Sequence, residues 1–136
     1  MLHRFTRTEL LIGEEGLAKL AVSTVAVFGV GGVGSFAVEA LARAGIGRLV
    51  LIDYDDICLT NINRQLHALE DTVGRPKVEL LRERVLKINP ACRVEALREC
   101  YTAEKREELI RPDYSYIVDA IDMIAAKVDW PDDARQ

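Results

Sequence analysis

The chain has 136 residues, of which 49% are hydrophobic and 29% are charged. This length predicts one domain, and the composition is that of a folded protein, which excludes a disordered chain. The apolar stretches are too short to cross a bilayer, which takes about 20 residues. The basic start MLHRFTRTELL lacks the apolar core of a secretory signal. Three cysteines without a CxxC pair argue against a disulfide framework or a zinc knuckle and suit a cytoplasmic protein.

The net charge of -4 lacks the basic balance of a protein that binds nucleic acid by itself, because phosphate neutralisation drives such binding. Thirteen of the 18 basic residues are arginine, whose planar guanidinium suits phosphate contacts. Ordinary surface arginine remains the favoured explanation of that bias.

Strand and helix patterns alternate along the chain. Short β-branched runs predict strands, and apolar residues at helical spacing predict helices. The predicted order is a helical segment over 8–22 interrupted by Gly13 and Gly16, strand Thr24–Phe28, a helix ending at Gly45, strand Arg48–Asp53, helix Arg75–Ile88, strand Arg93–Leu97, helix Ala103–Ile110, strand Tyr114–Asp119 and the start of a helix over Ile124–Asp129. This order predicts an α/β fold, a Rossmann-like, mostly parallel sheet with helices on both faces, truncated after the fourth strand. Ligands of such sheets bind outside the carboxyl ends of the strands.

A glycine-rich loop, GVGGVG, joins the first strand to the next helix and contains Gly29, Gly31, Gly32 and Gly34. Such glycines permit a tight turn and let a phosphate approach the N–H groups at the helix N-terminus. Asp53 follows 22 residues after Gly31, at the end of the next strand, where an acid can accept hydrogen bonds from ribose hydroxyls. The combination predicts a nucleotide, NAD or ATP; the alternative is that the glycines only permit close packing of helix and sheet.

Polar and basic residues beyond Asp53 favour ATP over NAD. Asn61, Arg64 and Gln65 follow the second strand, and Lys77 lies in the first turn of the next helix. A lysine there is unfavourable in isolation and becomes favourable when an anion is bound. Cleavage of ATP requires cations that stabilise three phosphates and the leaving pyrophosphate, whereas a redox Rossmann domain does not.

The chain resembles the ThiF/MoeB/HesA superfamily, the adenylating fold shared with ubiquitin-activating enzymes. The resemblance covers residues 4 to about 129 and is carried by the glycine loop, Asp53, the NxxRQ run, the GRPK lysine and the later DAID. The segments RFTRTELLIGEEGLAKL, LTNINRQLHAL and VDAID are most similar to the branch that dehydrates threonylcarbamoyladenosine in tRNA with ATP.

The resemblance implies a role for each motif. The glycines would hold the phosphates and Asp53 would bind the ribose. Four residues would contact the nucleotide, namely Asn61, Arg64, Gln65 and Lys77. Arg64 and Lys77 would also be catalytic. Asp122 would lie near Mg²⁺ or the reacting phosphate. Arg7 would reach the ATP of the partner subunit in a homodimer, with tRNA as the substrate.

Simpler interpretations stand beside these roles. Arg64 and Lys77 could each be solvated surface charges, although their combination with Asn61 and Gln65 argues otherwise. Asp122 could be a helix N-cap. His67 is expected to pack at a helix end rather than to act as an acid or base. The cysteines, with no evident base partner, are expected to be core or loop thiols.

Members of this superfamily are about twice as long, so the chain is expected to be an N-terminal half. Residues 1–129 would form the ATP-binding domain, and 130–136 a disordered tail, since Pro131 stops the helix. Three alternatives remain open: a sister enzyme that adenylates the C-terminus of a ubiquitin-like sulfur carrier, an NAD-dependent oxidoreductase, and an inactive fragment that binds nucleotide weakly or only dimerises. The fourth strand is expected at an uncovered edge of the sheet, where it would favour self-association.

Overall fold

Four parallel strands form one sheet in the order β3-β2-β1-β4. The structure, a computed structural model, describes residues 2–100 and 102–121. The strands are β1 (Thr24–Phe28), β2 (Arg48–Ile52), β3 (Arg93–Leu97) and β4 (Tyr116–Asp119). Their carboxyl ends lie in one row, because Ile52 pairs with both Phe28 and Leu97, and Phe28 pairs with Asp119. The α/β class and the parallel sheet predicted from the sequence are confirmed.

The central strand β1 is buried on both faces, which explains why TVAVF has no polar alternation. Val25 and Val27 face the core formed with the helices that follow β1 and β2. Ala26 and Phe28 face a second core on the opposite side, which includes Leu109. Helices therefore cover both faces, as expected.

The first helix, α1 (Thr6–Ala21), is kinked at Gly13, whose φ of 73° and ψ of 174° are not helical. Gly16, the other expected interruption, lies within the helix. The second helix, α2 (Gly32–Ala44), ends as predicted at Gly45, which adopts the left-handed conformation with φ 100°.

Strand β3 has its predicted bounds, whereas several other elements differ from the prediction. Helix α3 spans Lys77–Ile88 and does not include Arg75, because Pro76 is extended and bridges to Asp56. A short 3-10 helix, Leu59–Asn63, follows β2. The predicted helix over 103–110 is a 3-10 turn, Ala103–Lys105, followed by α4 (Arg106–Leu109). Strand β4 begins at Tyr116, because the N–H and side chain of Ser115 bond to Thr24 instead.

Strand β4 lies at an edge of the described sheet, as predicted, and Tyr116 is 53% exposed. An apolar groove of about 490 Å³ runs beside it, between the end of α1 and α2. Its lining includes Leu20, Val25, Leu41 and Val118. Within the described ranges, no helix is long and apolar enough to cross a membrane.

Candidate nucleotide-binding site

The outer glycines of the loop are required by the fold itself. Gly29 has a φ of +89°, and a methyl group on it would lie 2.6 Å from the Ala120 carbonyl oxygen. A methyl group on Gly34 would lie 1.8 Å from the Gly29 carbonyl oxygen. No side chain fits at either position unless backbone moves, so these two glycines set the tight passage from β1 into α2.

The inner glycines, Gly31 and Gly32, each have space for a side-chain methyl group. A methyl group on Gly31 would lie 3.4 Å from Gln65 Nε2, and one on Gly32 would lie 3.8 Å from Arg64 Cδ, both ordinary contacts. Packing therefore does not explain these two glycines. They leave the first turn of α2 bare, with its N–H groups and positive dipole end available to an anion.

Asp53 ties the end of β2 to the glycine loop. One carboxylate oxygen accepts the Val30 N–H at 2.8 Å, and the other accepts the Asp55 N–H at 2.8 Å. Each carboxylate oxygen has a second lone pair, so a ribose hydroxyl can still donate to it. Asp53 thus also stabilises the backbone of the glycine loop, a role that the sequence motif did not predict.

Asn61 is buried and shapes the turn after β2. Its side-chain oxygen accepts the Cys58 N–H at 2.8 Å, and its own N–H donates to the Cys58 carbonyl at 2.9 Å. After this turn, Arg64 and Gln65 lie beside the inner glycines. Arg64 is exposed and lies against Gly32, and its guanidinium donates to the Thr60 carbonyl and the Asn63 side chain.

Gln65 and Lys77 are buried polar residues, 6% exposed each. Gln65 lies against Gly31, and its side-chain oxygen has no hydrogen-bond partner within the described part of the chain. Lys77, predicted in the first turn of a helix, is the first residue of α3, and its Nζ lies 3.9 Å from an Asp55 carboxylate oxygen. The structure thus places a cation in the protein interior at a helix N-terminus, where a bound anion would stabilise it.

His67 lies in the turn after the 3-10 helix and is only 4% exposed. Burial, followed by the nearby Lys77 charge, lowers the pKa of its imidazole to about 4. The ring is therefore neutral at physiological pH. This burial supports the interpretation of His67 as a packed residue rather than an acid or base.

The remaining predicted residues are dispersed or undescribed. Arg7 is exposed in the first turn of α1. Asp122 and the tail over 130–136 lie outside the described residues. Cys58 is exposed, and Cys92 is buried, which raises the pKa of its thiol. The described residues contain no group of three or more His, Cys, Asp or Glu side chains that could hold a metal.

Comparison with known proteins identifies the family. The ThiF family model matches residues 5–134. The chain belongs to the ThiF family. Its relatives include the tRNA threonylcarbamoyladenosine dehydratase of Bacillus subtilis, 57% identical over 94% of this chain and 50% of that protein. The crystal structure of the E. coli tRNA N6-threonylcarbamoyladenosine dehydratase in complex with ATP shares 48% identity, with a TM-score of 0.91 over 93% of this chain and 52% of that one.

The chain is also similar to a protein named for a different activity. The sulfur carrier protein adenylyltransferase of Thermus thermophilus is 36% identical over 89% of this chain and 45% of that protein. The chain spans about half the length of the curated relatives it matches. The predicted superfamily and Rossmann-like fold are confirmed, and the expectation that the chain corresponds to an N-terminal half agrees with this coverage.

Proposed function

We propose that this chain is the ATP-binding half of an enzyme that adenylates the threonylcarbamoyl carboxylate of a modified adenosine in tRNA and then closes it into a ring. The observation that carries the proposal is the pair of inner glycines, which packing does not require and which lie beside Arg64 and Gln65. The ATP complex of the similar E. coli dehydratase supports the choice of nucleotide.

The phosphates would lie across the first turn of α2, with the ribose on Asp53. The substrate carboxylate attacks the α-phosphate of ATP, and pyrophosphate leaves with its electron pair. Arg64 and Lys77 stabilise the charge that develops on the leaving group. A nitrogen of the same side chain then attacks the acyl-adenylate, which closes the ring and releases AMP. No covalent intermediate on the protein is needed.

Mg²⁺ belongs to this proposal through the chemistry of its ligands. Magnesium in phosphoryl-transfer sites keeps several waters and takes only one or two carboxylates together with substrate phosphates. The lack of a three-ligand cluster in the described ranges is compatible with such a site. Asp122 would supply the carboxylate, and the ion would neutralise charge on the phosphates.

A homodimer is the proposed assembly. Helix α1 buries none of its residues, and Leu10 and Leu11 on it are 81% and 88% exposed. The edge of β4 and its apolar groove add a second uncovered surface. In such a dimer, Arg7 would reach the partner's phosphates. A cytoplasmic location follows from a tRNA substrate and free thiols.

Pyrophosphate release separates this function from its alternatives. The chain is incubated with ATP and either tRNA that carries threonylcarbamoyladenosine or a ubiquitin-like sulfur-carrier protein. Release with the tRNA alone supports the proposal, and release with the carrier alone supports the sister enzyme. Release with neither, despite ATP binding, identifies the chain as a nucleotide-binding fragment.

Lys77→Ala tests the proposed charge stabilisation within the same assay. Its release rate should fall by about 10²–10³, the effect of losing one strong electrostatic stabiliser. The matched control is Lys87→Ala, which removes an exposed lysine in the last turn of the same helix. Equal rates for the two variants would make Lys77 a structural lysine.

A further inference from the structure

Glu39 forms an ion pair that joins α2 to α3. Its side chain is only 16% exposed. Arg84 of α3 donates from its Nε to Glu39 Oε1 at 2.6 Å and from its Nη2 to Glu39 Oε2 at 3.2 Å. Arg43, one turn further along α2, donates to the same Oε2 at 2.9 Å. A guanidinium that binds both carboxylate oxygens fixes the direction of a contact as well as its length.

The two partners lie at the same level of their helices. Glu39 is seven residues after Gly32, the first residue of α2, and Arg84 is seven residues after Lys77, the first residue of α3. At the usual helical rise this is about 10 Å. Each helix joins two neighbouring parallel strands, so both helices run back from the carboxyl edge of the sheet. The ion pair therefore joins the helices about two turns from the N-terminus of each.

Apolar packing alone defines the relative position of these helices less sharply. Val38 and Ala42 of α2 lie in the same apolar core as Leu81 and Val85 of α3. Apolar contacts have no preferred direction, and packed helices can slide past one another by shear. The ion pair between Glu39 and Arg84 opposes such sliding, because its two hydrogen bonds are strained when either helix moves along its axis.

The register of the helices matters because their N-termini contribute two different parts of the proposed phosphate site. The first turn of α2 supplies N–H groups, and Lys77, which is buried at the first position of α3, supplies a cation. A displacement of about 1 Å at an acting group can lower a reaction rate by roughly 10²-fold. A small slip of α3 would therefore move Lys77 away from phosphates that are bound at α2.

We propose that Glu39 and Arg84 are positioning residues that set the register of α3 against α2 and so hold Lys77 level with the phosphates bound at α2. They act through Lys77 rather than on the nucleotide. The proposal rests on the proposed function for the phosphates, whereas the register of the helices is a property of the protein alone.

Calorimetry on the full 136-residue chain with ATP and with AMP tests the effect on the phosphate site. Arg84→Met removes the guanidinium and keeps an unbranched apolar side chain. Affinity for ATP should fall about tenfold, whereas affinity for AMP, which lacks the leaving phosphates, should change less than about twofold. A merely structural loss would weaken the binding of both nucleotides alike. Arg84→Lys, which keeps the charge, should restore part of the ATP affinity.

The matched control is Arg82→Met, because the ion pair of Arg82 with Glu79 lies within α3 and joins no other element. It should leave both affinities unchanged. A double-mutant cycle then shows whether Arg84 acts through Lys77. In a Lys77→Ala background, Arg84→Met should cause no further loss of ATP affinity, whereas independent effects would add. Unchanged ATP affinity in Arg84→Met, equal losses for ATP and AMP, or additive losses in the cycle would each overturn the proposal.

Methyl NOEs measured by NMR without nucleotide report the register separately. The NOEs between valine and leucine side chains of α2 and α3 should change in Arg84→Met and in Glu39→Met but not in Arg82→Met. A pattern that is the same in wild type and in either of the first two variants overturns the proposal. A wild-type chain that binds neither nucleotide overturns the proposed function, while the NOE pattern still decides whether the ion pair sets the register.

Discussion

The outer and inner glycines of the loop look alike in the sequence but are constrained differently. At Gly29 and Gly34 a methyl group would collide with backbone, so the fold excludes every other residue. At Gly31 and Gly32 a methyl group would meet only side chains at ordinary distances. The outer pair thus builds the turn between strand and helix, and the inner pair leaves space outside it. The glycine motif therefore combines a requirement of the fold at its outer positions with open space for a ligand at its inner positions.

The largest expected effect is the loss of stability in Gly34→Ala. The added methyl group would lie 1.8 Å from the Gly29 carbonyl oxygen, so α2 must shift away from β1. We expect the free energy of unfolding to fall by more than about 3 kcal/mol, the upper range for overpacking. Urea unfolding followed by circular dichroism measures the change. Stability within about 0.5 kcal/mol of wild type would show that the outer glycine is not required by the fold.

A second test concerns the buried imidazole of His67. The folded pKa of His67 is about 4, below its ordinary value, so the unfolded chain binds a proton between these two values and the folded chain does not. Stability is therefore fully present near neutral pH and falls as the pH drops below about 6.5. Between about pH 7 and pH 5 the loss should be about 2 kcal/mol.

The control for this pH dependence is His67→Gln, in which the loss above about pH 5 should disappear. Bound arginines lower the pKa of Glu39 and Glu95, and the stability from those carboxylates is lost only at more acidic pH, as the pH falls through their lowered pKa values. Denaturant unfolding at several pH values separates the two ranges. An identical pH dependence in wild type and His67→Gln would contradict the buried neutral ring.

The smallest expected change in the free energy of unfolding comes from Gly32→Ala. This variant also tests most directly whether the inner glycines differ from the outer ones. The methyl group fits the protein, so stability should stay within about 0.5 kcal/mol of wild type or rise slightly, because alanine restricts the unfolded chain. ATP affinity should fall at least about tenfold, about 1.4 kcal/mol, because the phosphate loses its approach to the backbone. Calorimetry and unfolding on one preparation measure both. Unchanged ATP affinity would mean that the inner glycines serve no ligand.

Local patterns were sufficient to predict the strands and the end of α2, since Thr24–Phe28, Arg93–Leu97 and Gly45 are all where the sequence placed them. They were insufficient wherever a distant backbone group decides the outcome. The constraint on Gly29 comes from the Ala120 carbonyl, about ninety residues away in the chain. The hydrogen bond between the Val30 N–H and Asp53 likewise joins residues that are 23 positions apart in the chain, and the local pattern around His67 does not determine its burial.

The central claim is that the carboxyl edge of the sheet is a triphosphate site. Isothermal titration calorimetry of the wild-type chain with ATP and with NAD, under identical salt and Mg²⁺, tests it most directly. We expect ATP to bind more tightly than NAD, because Arg64 and Lys77 add cations that the pyrophosphate of a dinucleotide does not need. Tighter binding of NAD would contradict the account and favour the oxidoreductase instead.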